Sequence, residues 1–450
     1  MIYQGKFRHV IWLLLGLLPL SSALYAADKE KLIDPDQAEL PLEDLRTFTK
    51  VYDHIRKGYV EEITDKTLLE YAIKGMLSEL DPHSAYLNKN LFDDLQIHTT
   101  GEFGGLGIEV GMEDGFVKVV SPIDDTPAAK AGVEAGDLII KIDTKSVKGL
   151  SLGEAIELMR GPKDSKIILT IVREGTDKPF KIDIIRDTIK VQSVKHKILE
   201  DDFGYIRISQ FQVNTGKDTQ AAIKSMTSEQ ALKGIILDLR NNPGGVLQAS
   251  VDVVSAFLDS GLVVYTEGRV KNADVKYNAE PGDSSNGLPI VVLINDGSAS
   301  ASEIVAGALQ DHRRAVIMGT QSFGKGSVQT VIPLSEDKAI KLTTALYFTP
   351  NGRSIQAQGI NPDIEIERAQ ITALKTRPKF SEANLNGHLN NGNGGDDRSD
   401  DQRRAAIDKN KELFNNDNQL FEAVNLLRGL SLFSANQSDV EPTPETAPKG

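Results

Sequence analysis

The chain has 450 residues, 40% of them hydrophobic and 26% charged, which is long enough for two or three domains and has the balance of a globular rather than a disordered protein. A formal net charge of −13 argues against nonspecific affinity for nucleic acid or anionic lipid. With no cysteine in the chain, neither a disulfide framework nor a cysteine-based zinc site can form.

Residues 1–27 read as an export signal. Lys6, Arg8 and His9 give a basic start, Val10 to Leu20 is apolar, and Ser21 to Ala27 is rich in small residues, with Ala23, Ala26 and Ala27 as cleavage candidates. The apolar run is short for a membrane span, although an uncleaved inner-membrane anchor is the alternative. The expectation is a periplasmic or cell-envelope protein that folds without oxidation.

Residues 28–98 are predicted to be an N-terminal helical region. Leu45, Phe48, Val51, Tyr52 and Ile55 follow helical spacing, as do Leu68, Leu69, Ala72, Ile73, Met76, Leu77 and Leu80. Asp81-Pro82-His83 ends the pattern. These helices either pack on the rest of the chain or join a second copy, so a homo-oligomer is expected.

Residues 99–187 change to short strands: Gly107 to Gly111, Phe116 to Val120, Leu138 to Ile142, Ile167 to Val172 and Lys181 to Ile185, with a helix over Ser151 to Met159. Gly105-Leu106-Gly107-Ile108 opens the module, and Pro127-Ala128-Ala129-Lys130-Ala131-Gly132 and Ala135-Gly136-Asp137-Leu138-Ile139 follow. With these motifs the segment resembles a PDZ domain. The resemblance implies that Gly105, Leu106, Gly107 and Ile108 bind a peptide C-terminus, which adds as a strand opposite Ile156 and Met159. The apolar groove suggests chain ends with an apolar last residue.

Residues 188–370 alternate apolar strands and helices, which predicts an α/β body. Strand candidates are Gly234 to Leu239, Val263 to Thr266, Ile290 to Ile294 and Ala315 to Met318, and helix candidates are Val246 to Leu258 and Ser302 to Asp311. Residues 371–402 read as a polar flexible linker, 403–434 as a last helix with Leu413, Leu420, Val424 and Leu427 near one face, and 435–450 as a disordered tail. The last helix either docks on the body or joins another subunit.

Chemistry concentrates in this body. Gly297-Ser298-Ala299-Ser300-Ala301-Ser302-Glu303 carries hydroxyls out of an apolar strand into a helix start, whose free N–H groups favour negative charge. Gly324-Lys325-Gly326 follows downstream, and a desolvated neutral lysine can deprotonate a serine. Asp238-Leu239-Arg240-Asn241-Asn242-Pro243-Gly244-Gly245 ends another strand in a turn suited to an oxyanion hole. Together with Asp81-Pro82-His83-Ser84, Gly352-Arg353-Ser354-Ile355-Gln356 and Gly359-Ile360-Asn361-Pro362-Asp363, these runs resemble the carboxyl-terminal processing proteases, serine peptidases with an embedded PDZ domain.

That resemblance implies a ClpP/crotonase-like α/β body. It makes Ser300 the nucleophile, Lys325 the general base and Gln329 the residue that orients it, and it implies that Ala301 with Gly244 or Gly245 holds the oxyanion. Burial beside Phe323 is expected to depress Lys325, and Asp311 is given a structural role. No cofactor or metal is called for. The implied substrates are envelope proteins with exposed C-terminal tails, with or without an adaptor protein. Arg160, at the end of the PDZ helix, is a candidate contact through which a bound tail gates the site.

Other readings compete. A Ser-His-Asp triad through His312 is disfavoured because adjacent helix residues Asp311 and His312 diverge. Gly319, Gly324 and Lys325 fit the spacing of a phosphate loop, but Gly326 stands where Ser or Thr is needed, and a strand rather than a helix is expected next. The non-enzymatic alternative is a PDZ adaptor on an inactive protease body.

Overall fold

The computed structural model describes residues 41–270, 273–369, 389 and 416–438. The signal segment, the linker over 371–402 other than residue 389, and the chain end from 439 lie outside them. The chain divides into two units after Ala72. In the first lie α1 (Leu42–Gly58) and the start of α2 (Asp65–Ser78). Acidic Glu43 and Asp44 open α1, and Arg56 and Lys57 close it, each suited to its end of the helix dipole. Phe48, Val51, Tyr52, Ile55, Tyr59 and Tyr71 line an apolar groove of about 410 Å³ in this unit.

The second unit begins within α2. The region expected to be helical up to residue 98 contains a strand, β1 (Ala85–Leu87), and its last helix, α3 (Lys89–Thr100), ends beyond that boundary. The Asn88 side chain caps α3 by accepting the Leu91 N–H at 3.1 Å, and Gly101, at φ 73°, stops it.

The β module enters and leaves through a two-stranded neck. β2 (Glu102–Gly105) pairs with β9 (Asp187–Lys190), so Glu102 faces Lys190. Between them lie β3 (Ile108–Glu113), β4 (Phe116–Pro122), α4 (Pro127–Lys130), β5 (Leu138–Ile142), β6 (Lys145–Ser146), α5 (Leu152–Met159), β7 (Lys166–Val172) and β8 (Phe180–Ile185). The sheet runs β3-β4-β5-β7-β8, with β6 beside β5, and leaves β3 at an edge. Ser151 and Glu154 form a capping box at α5. Val117, Val119, Ile139, Leu169, Ile171 and Met159 fill the module's own core.

In the body, β10 (Val194–Ile198), β11 (Phe203–Ile208), β12 (Gly234–Asp238), β15 (Ile290–Ile294), β16 (Val316–Gly319) and β19 (Ile364–Glu365) form one sheet in that order. It is parallel from β11 onward. Alternate residues divide its two faces. Ile235, Leu237, Val292, Ile294 and Ile317 pack in the core that also holds residues of α6 (Thr215–Glu229), α7 (Leu247–Ser255) and α8 (Ala301–Asp311). Ile236, Val291, Leu293 and Met318 pack on the opposite face against Leu420, Ala423, Val424 and Leu427 of α9 (Asn418–Ser438). The last helix therefore docks on the body. It runs past residue 434 to Ser438, and its predicted first part, 403–415, lies outside the described residues.

The strand predicted over Val263 to Thr266 forms, as β13 (Leu262–Glu267), but it belongs to a separate antiparallel sheet with β14 (Val275–Asn278), β17 (Ser327–Ser335), β18 (Lys338–Phe348) and β1. Here β1 pairs with β18, Ala85 facing Lys341. A pairing so distant along the chain leaves no local pattern to read.

Candidate active site

Three adjacent parallel strands end at one place, and each delivers one part of the site. This is the carboxyl end of an α/β sheet, where ligands bind. From β12 the chain enters the Asn241 to Gly245 loop, from β15 it turns through Asn295 to Ala299 into Ser300 at the head of α8, and from β16 it runs through residues 320–326 to Lys325. Ser300, Lys325, Gly244, Gly245, Gln329, Lys341 and Tyr347 all line one cavity of about 370 Å³.

Hydrogen bonds separate the three serines of the turn. Ser298 Oγ donates to the Leu239 carbonyl at 2.9 Å, and Ser302 Oγ donates to the Asn242 carbonyl at 2.9 Å. Both are fully buried. Ser300 faces the cavity instead, with its backbone at φ 56° and ψ −113°. A non-glycine residue in that region is strained, and such strain concentrates at functional sites.

Glu303 ties the Ser300 turn to the lysine loop. Its fully buried carboxylate accepts the N–H groups of Ser300 at 2.7 Å, Gly324 at 2.6 Å and Lys325 at 2.9 Å, and the Ser322 hydroxyl at 2.6 Å. Burial raises its pKa above the usual carboxyl value against the pull of those donors. The loop is also held from behind. The Gly326 N–H donates to Gln356 Oε1 at 3.0 Å, and a Cβ on Gly326 would lie 2.4 Å from the Gln356 nitrogen, so only glycine fits. The Tyr347 hydroxyl donates to the Lys325 carbonyl.

The Lys325 amine is half-buried and its pKa is lowered, first by desolvation and then by the Lys341 cation, while Asp81 and Glu303 oppose the shift. Phe323, expected to bury the amine, is 64% exposed, and the apolar side chains lining the cavity include Leu95, Val246, Leu247, Ile304, Val328 and Val331. Gln329, expected to orient Lys325, is directed elsewhere. Lys325 precedes β17, so the strand's alternation of faces does not reach it, and a bulge separates Val328 from Gln329. The Gln329 amide donates to Ser327 Oγ at 3.0 Å and to Thr343 Oγ1 at 3.4 Å. Among the described residues no hydrogen bond joins it to Lys325, or Lys325 to the Ser300 hydroxyl.

The expected oxyanion donors divide as well. The Gly244 N–H is taken by Asn242 Oδ1 at 3.0 Å, whereas the N–H groups of Gly245 and Ala301 donate to nothing among the described residues. Gly244 contributes by its closeness. At φ 97°, a Cβ there would lie 2.7 Å from Ser300 Cβ. The pair left free is therefore Gly245 and Ala301.

The rival sites do not assemble. His312 ends α8, at the opposite end from Ser300, and its Nε2 hydrogen-bonds the Leu262 carbonyl at 2.7 Å. Asp311 bonds Arg353 and the Asn351 N–H, which gives it a structural place on the 349–356 turn. Strand β17, not a helix, follows Lys325, so the glycines there form no phosphate loop.

The profile of Peptidase family S41 matches residues 202–366, that of a PDZ domain residues 118–173, and that of the activating protease CtpB N-terminal domain residues 21–91. A carboxy-terminal-processing protease of Bartonella bacilliformis is 49% identical over 426 residues, covering 94% of this chain and 96% of that protein. The chain belongs to the carboxy-terminal processing proteases of family S41. A carboxyl-terminal-processing protease of Synechocystis is 35% identical over 388 residues, covering 82% of this chain and 90% of its own length. A solved photosystem II D1 C-terminal processing protease is 31% identical, covering 71% of this chain and 87% of that one at a TM-score of 0.42. The protein is thus a serine-type peptidase carrying a PDZ domain.

The protease's PDZ groove holds about 480 Å³ between β3 and α5, and Gly105, Leu106, Gly107, Ile108, Ile156, Met159 and Arg160 are among its lining residues. Gly105 ends β2, and the Leu106 side chain is buried in the module core. The N–H groups of Leu106 and Gly107 donate to nothing among the described residues, so they are available to a carboxylate. Arg160 donates to Asp94 of α3 at 2.8 Å and to Glu157 at 3.0 Å, with its guanidinium 5.7 Å from the centre of the Phe103 ring.

The roles that the sequence left unassigned are those of Lys341, Asp81 and Tyr347 around Lys325, and of Glu303 as the tie between the two loops. Asp81 lies in the Asp81-Pro82-His83-Ser84 run, but only Glu303 left a local trace of its role: a glutamate three residues after a helix-opening serine is capping-box spacing.

Proposed function

We propose that the protein is an exported serine endopeptidase of the Ser/Lys type that engages C-terminal tails of envelope proteins through its PDZ groove and cleaves them at Ser300. One observation carries this reading: of three serines in the turn only Ser300 faces the cavity that Lys325 also lines, beside two N–H groups without partners among the described residues. Neutral Lys325 takes the Ser300 proton, and the oxygen attacks the peptide carbonyl. Gly245 and Ala301 N–H groups stabilise the tetrahedral oxyanion, the amine leaves with the lysine's proton, and water hydrolyses the acyl-enzyme. Gln329 turns from Thr343 to Lys325 as the amine approaches Ser300, and tail binding favours that closed arrangement. The signal-like N-terminus supports export to the periplasm. The exposed apolar row on α1, including Leu45, Phe48 and Val51, supports self-association, and delivery by an adaptor protein is compatible with this reading.

Ser300→Ala and Lys325→Ala are expected to fold like the wild type, by circular dichroism, and to lose peptide cleavage. Normal proteolysis by either purified variant overturns the assignment. A wild-type protein that binds tails but neither cleaves peptides nor reacts with a fluorophosphonate is the inactive adaptor instead.

A further inference from the structure

The oxyanion loop is tied at its base to the far end of the chain. Arg240 donates from Nη1 and Nη2 to both oxygens of Asp417, at 2.8 and 2.7 Å. Its Nε and Nη2 donate to the two oxygens of Asp238, at 3.0 and 2.7 Å, and Nη1 also reaches Gln419 Oε1 at 3.0 Å. The side chain is only 14% exposed. A planar guanidinium can span two carboxylates in this way and an ammonium cannot. Asp417 itself is fixed, since it accepts the Leu420 N–H at 3.0 Å and heads the helix that covers the second face of the sheet.

The residues after Arg240 reach the reacting centre directly. Asn241 is left-handed at φ 54°, and exchanges hydrogen bonds with Asn295 at 2.7 and 2.8 Å. Asn242 holds the Gly244 N–H, and its carbonyl receives Ala299 N–H at 3.0 Å and Ser302 Oγ at 2.9 Å. Gly244 and Gly245 follow, at φ 97° and 145°. Two glycines have little conformational preference of their own, so the direction of the Gly245 N–H depends on the anchors before and after them. Arg240 is the first of those anchors, and half of its grip comes from Asp417.

We propose that Asp417, at the head of the C-terminal helix, is a positioning residue for catalysis: through Arg240 it sets the loop that aims the Gly245 N–H at the developing oxyanion. This rests on Ser300 being the nucleophile. The full-length chain is compared with Asp417→Asn, which turns an amide N–H₂ toward the guanidinium, Arg240→Lys and Asp417→Glu. Turnover of a fluorogenic peptide, the rate of Ser300 labelling by a fluorophosphonate and the melting temperature are measured.

For Asp417→Asn and Arg240→Lys, kcat falls about tenfold, less than the 10²–10³ that follows loss of a whole oxyanion donor. KM stays within about twofold and labelling slows in step, the pattern of an interaction made in the transition state. Asp417→Glu recovers most of the loss. Wild-type kcat and labelling rates in both variants overturn the proposal, and so does a lower melting temperature at unchanged kcat, which marks a purely structural clamp. If Asp417→Asn does not fold, Arg240→Lys decides. Failure of the wild type to label at Ser300 instead removes the nucleophile assignment.

Discussion

Lys325 sits among charges of both signs, and in the proposed mechanism they decide at what pH it can act as a base. Under the proposed Ser/Lys mechanism activity requires the neutral amine, so the rate rises as pH passes upward through its folded pKa, which lies below the ordinary lysine value because of burial and Lys341. Replacing Lys341 with Met removes a cation that disfavours protonation. The Lys325 pKa then rises, the acid limb of the kcat/KM profile moves to higher pH, and activity at pH 7 falls. Asp81→Asn does the reverse: a carboxylate that favours the ammonium is lost, and the limb moves to lower pH. Profiles that stay in place in both variants would show that Lys325 is not the titrating base. Glu303→Ala tests the tie between the two loops. Three N–H groups and a hydroxyl lose their acceptor in a buried place, at about 1–3 kcal/mol for each that finds no water. A lower urea midpoint and lost cleavage are expected together. That Ser300, Lys325 and the Gly244-Gly245 turn meet in one cavity was legible because each lies in a short motif of residue types suited to peptide hydrolysis. The parts of Lys341 and Asp81 were not, because tertiary pairing brings them to Lys325: Lys341 faces Val331 across the β17–β18 hairpin and Ala85 across the β1–β18 pair, and Asp81 accepts the Thr343 hydroxyl at 3.1 Å. The expected role of Phe323 failed for a related reason. Adjacency in sequence does not state which way a loop side chain points.

At the scale of elements, α9 is the clearest test of what periodicity can and cannot say. The spacing of Leu420, Val424 and Leu427 predicts one apolar face, and those residues do share a core. What the helix covers was open from its own sequence. The deciding signal lay elsewhere: all five residues of both β12 and β15 are buried, and a parallel sheet buried on both faces needs a layer on each side. Leu427 is fully buried, with one methyl positioned 3.0 Å from where a Cβ on Gly234 would stand. Leu427→Ala is expected to destabilise the body by about 2–5 kcal/mol through lost transfer energy and a cavity, read as a lower midpoint in urea. An unchanged midpoint would mean that α9 leaves the sheet in solution. The sheet that joins β1 to β18 and β13 had no such signal, since strands so far apart along the chain are chosen by tertiary packing and not by local pattern.

At the scale of the whole second unit, the PDZ module and the catalytic cavity share one element, α3. Its Asp94 pairs with Arg160 at the end of the groove, and its Leu95, His98 and Thr99 line the catalytic cavity. The Gln210 amide donates to the His98 carbonyl at 3.1 Å, which ties α3 to the body. A tail entering between β3 and α5 meets Arg160, so occupancy of the groove can change the pairing that holds α3. The β2–β9 neck brings Gly105 opposite Asp187, which allows residues 106–186 to be replaced by a short Gly-Ser bridge without reaching across the body. A peptide ending in an apolar residue with a free carboxylate is expected to speed cleavage of a separate internal reporter by the full chain, while its amidated form does not. A tenfold effect needs only about 1.4 kcal/mol of preference for the active arrangement. Arg160→Ala is expected to bind the peptide and lose the response, and the excised variant to cleave at a rate that no tail alters. If calorimetry shows the peptide bound to the full chain while the reporter rate stays constant, the module is a tether for substrates and α3 carries no signal.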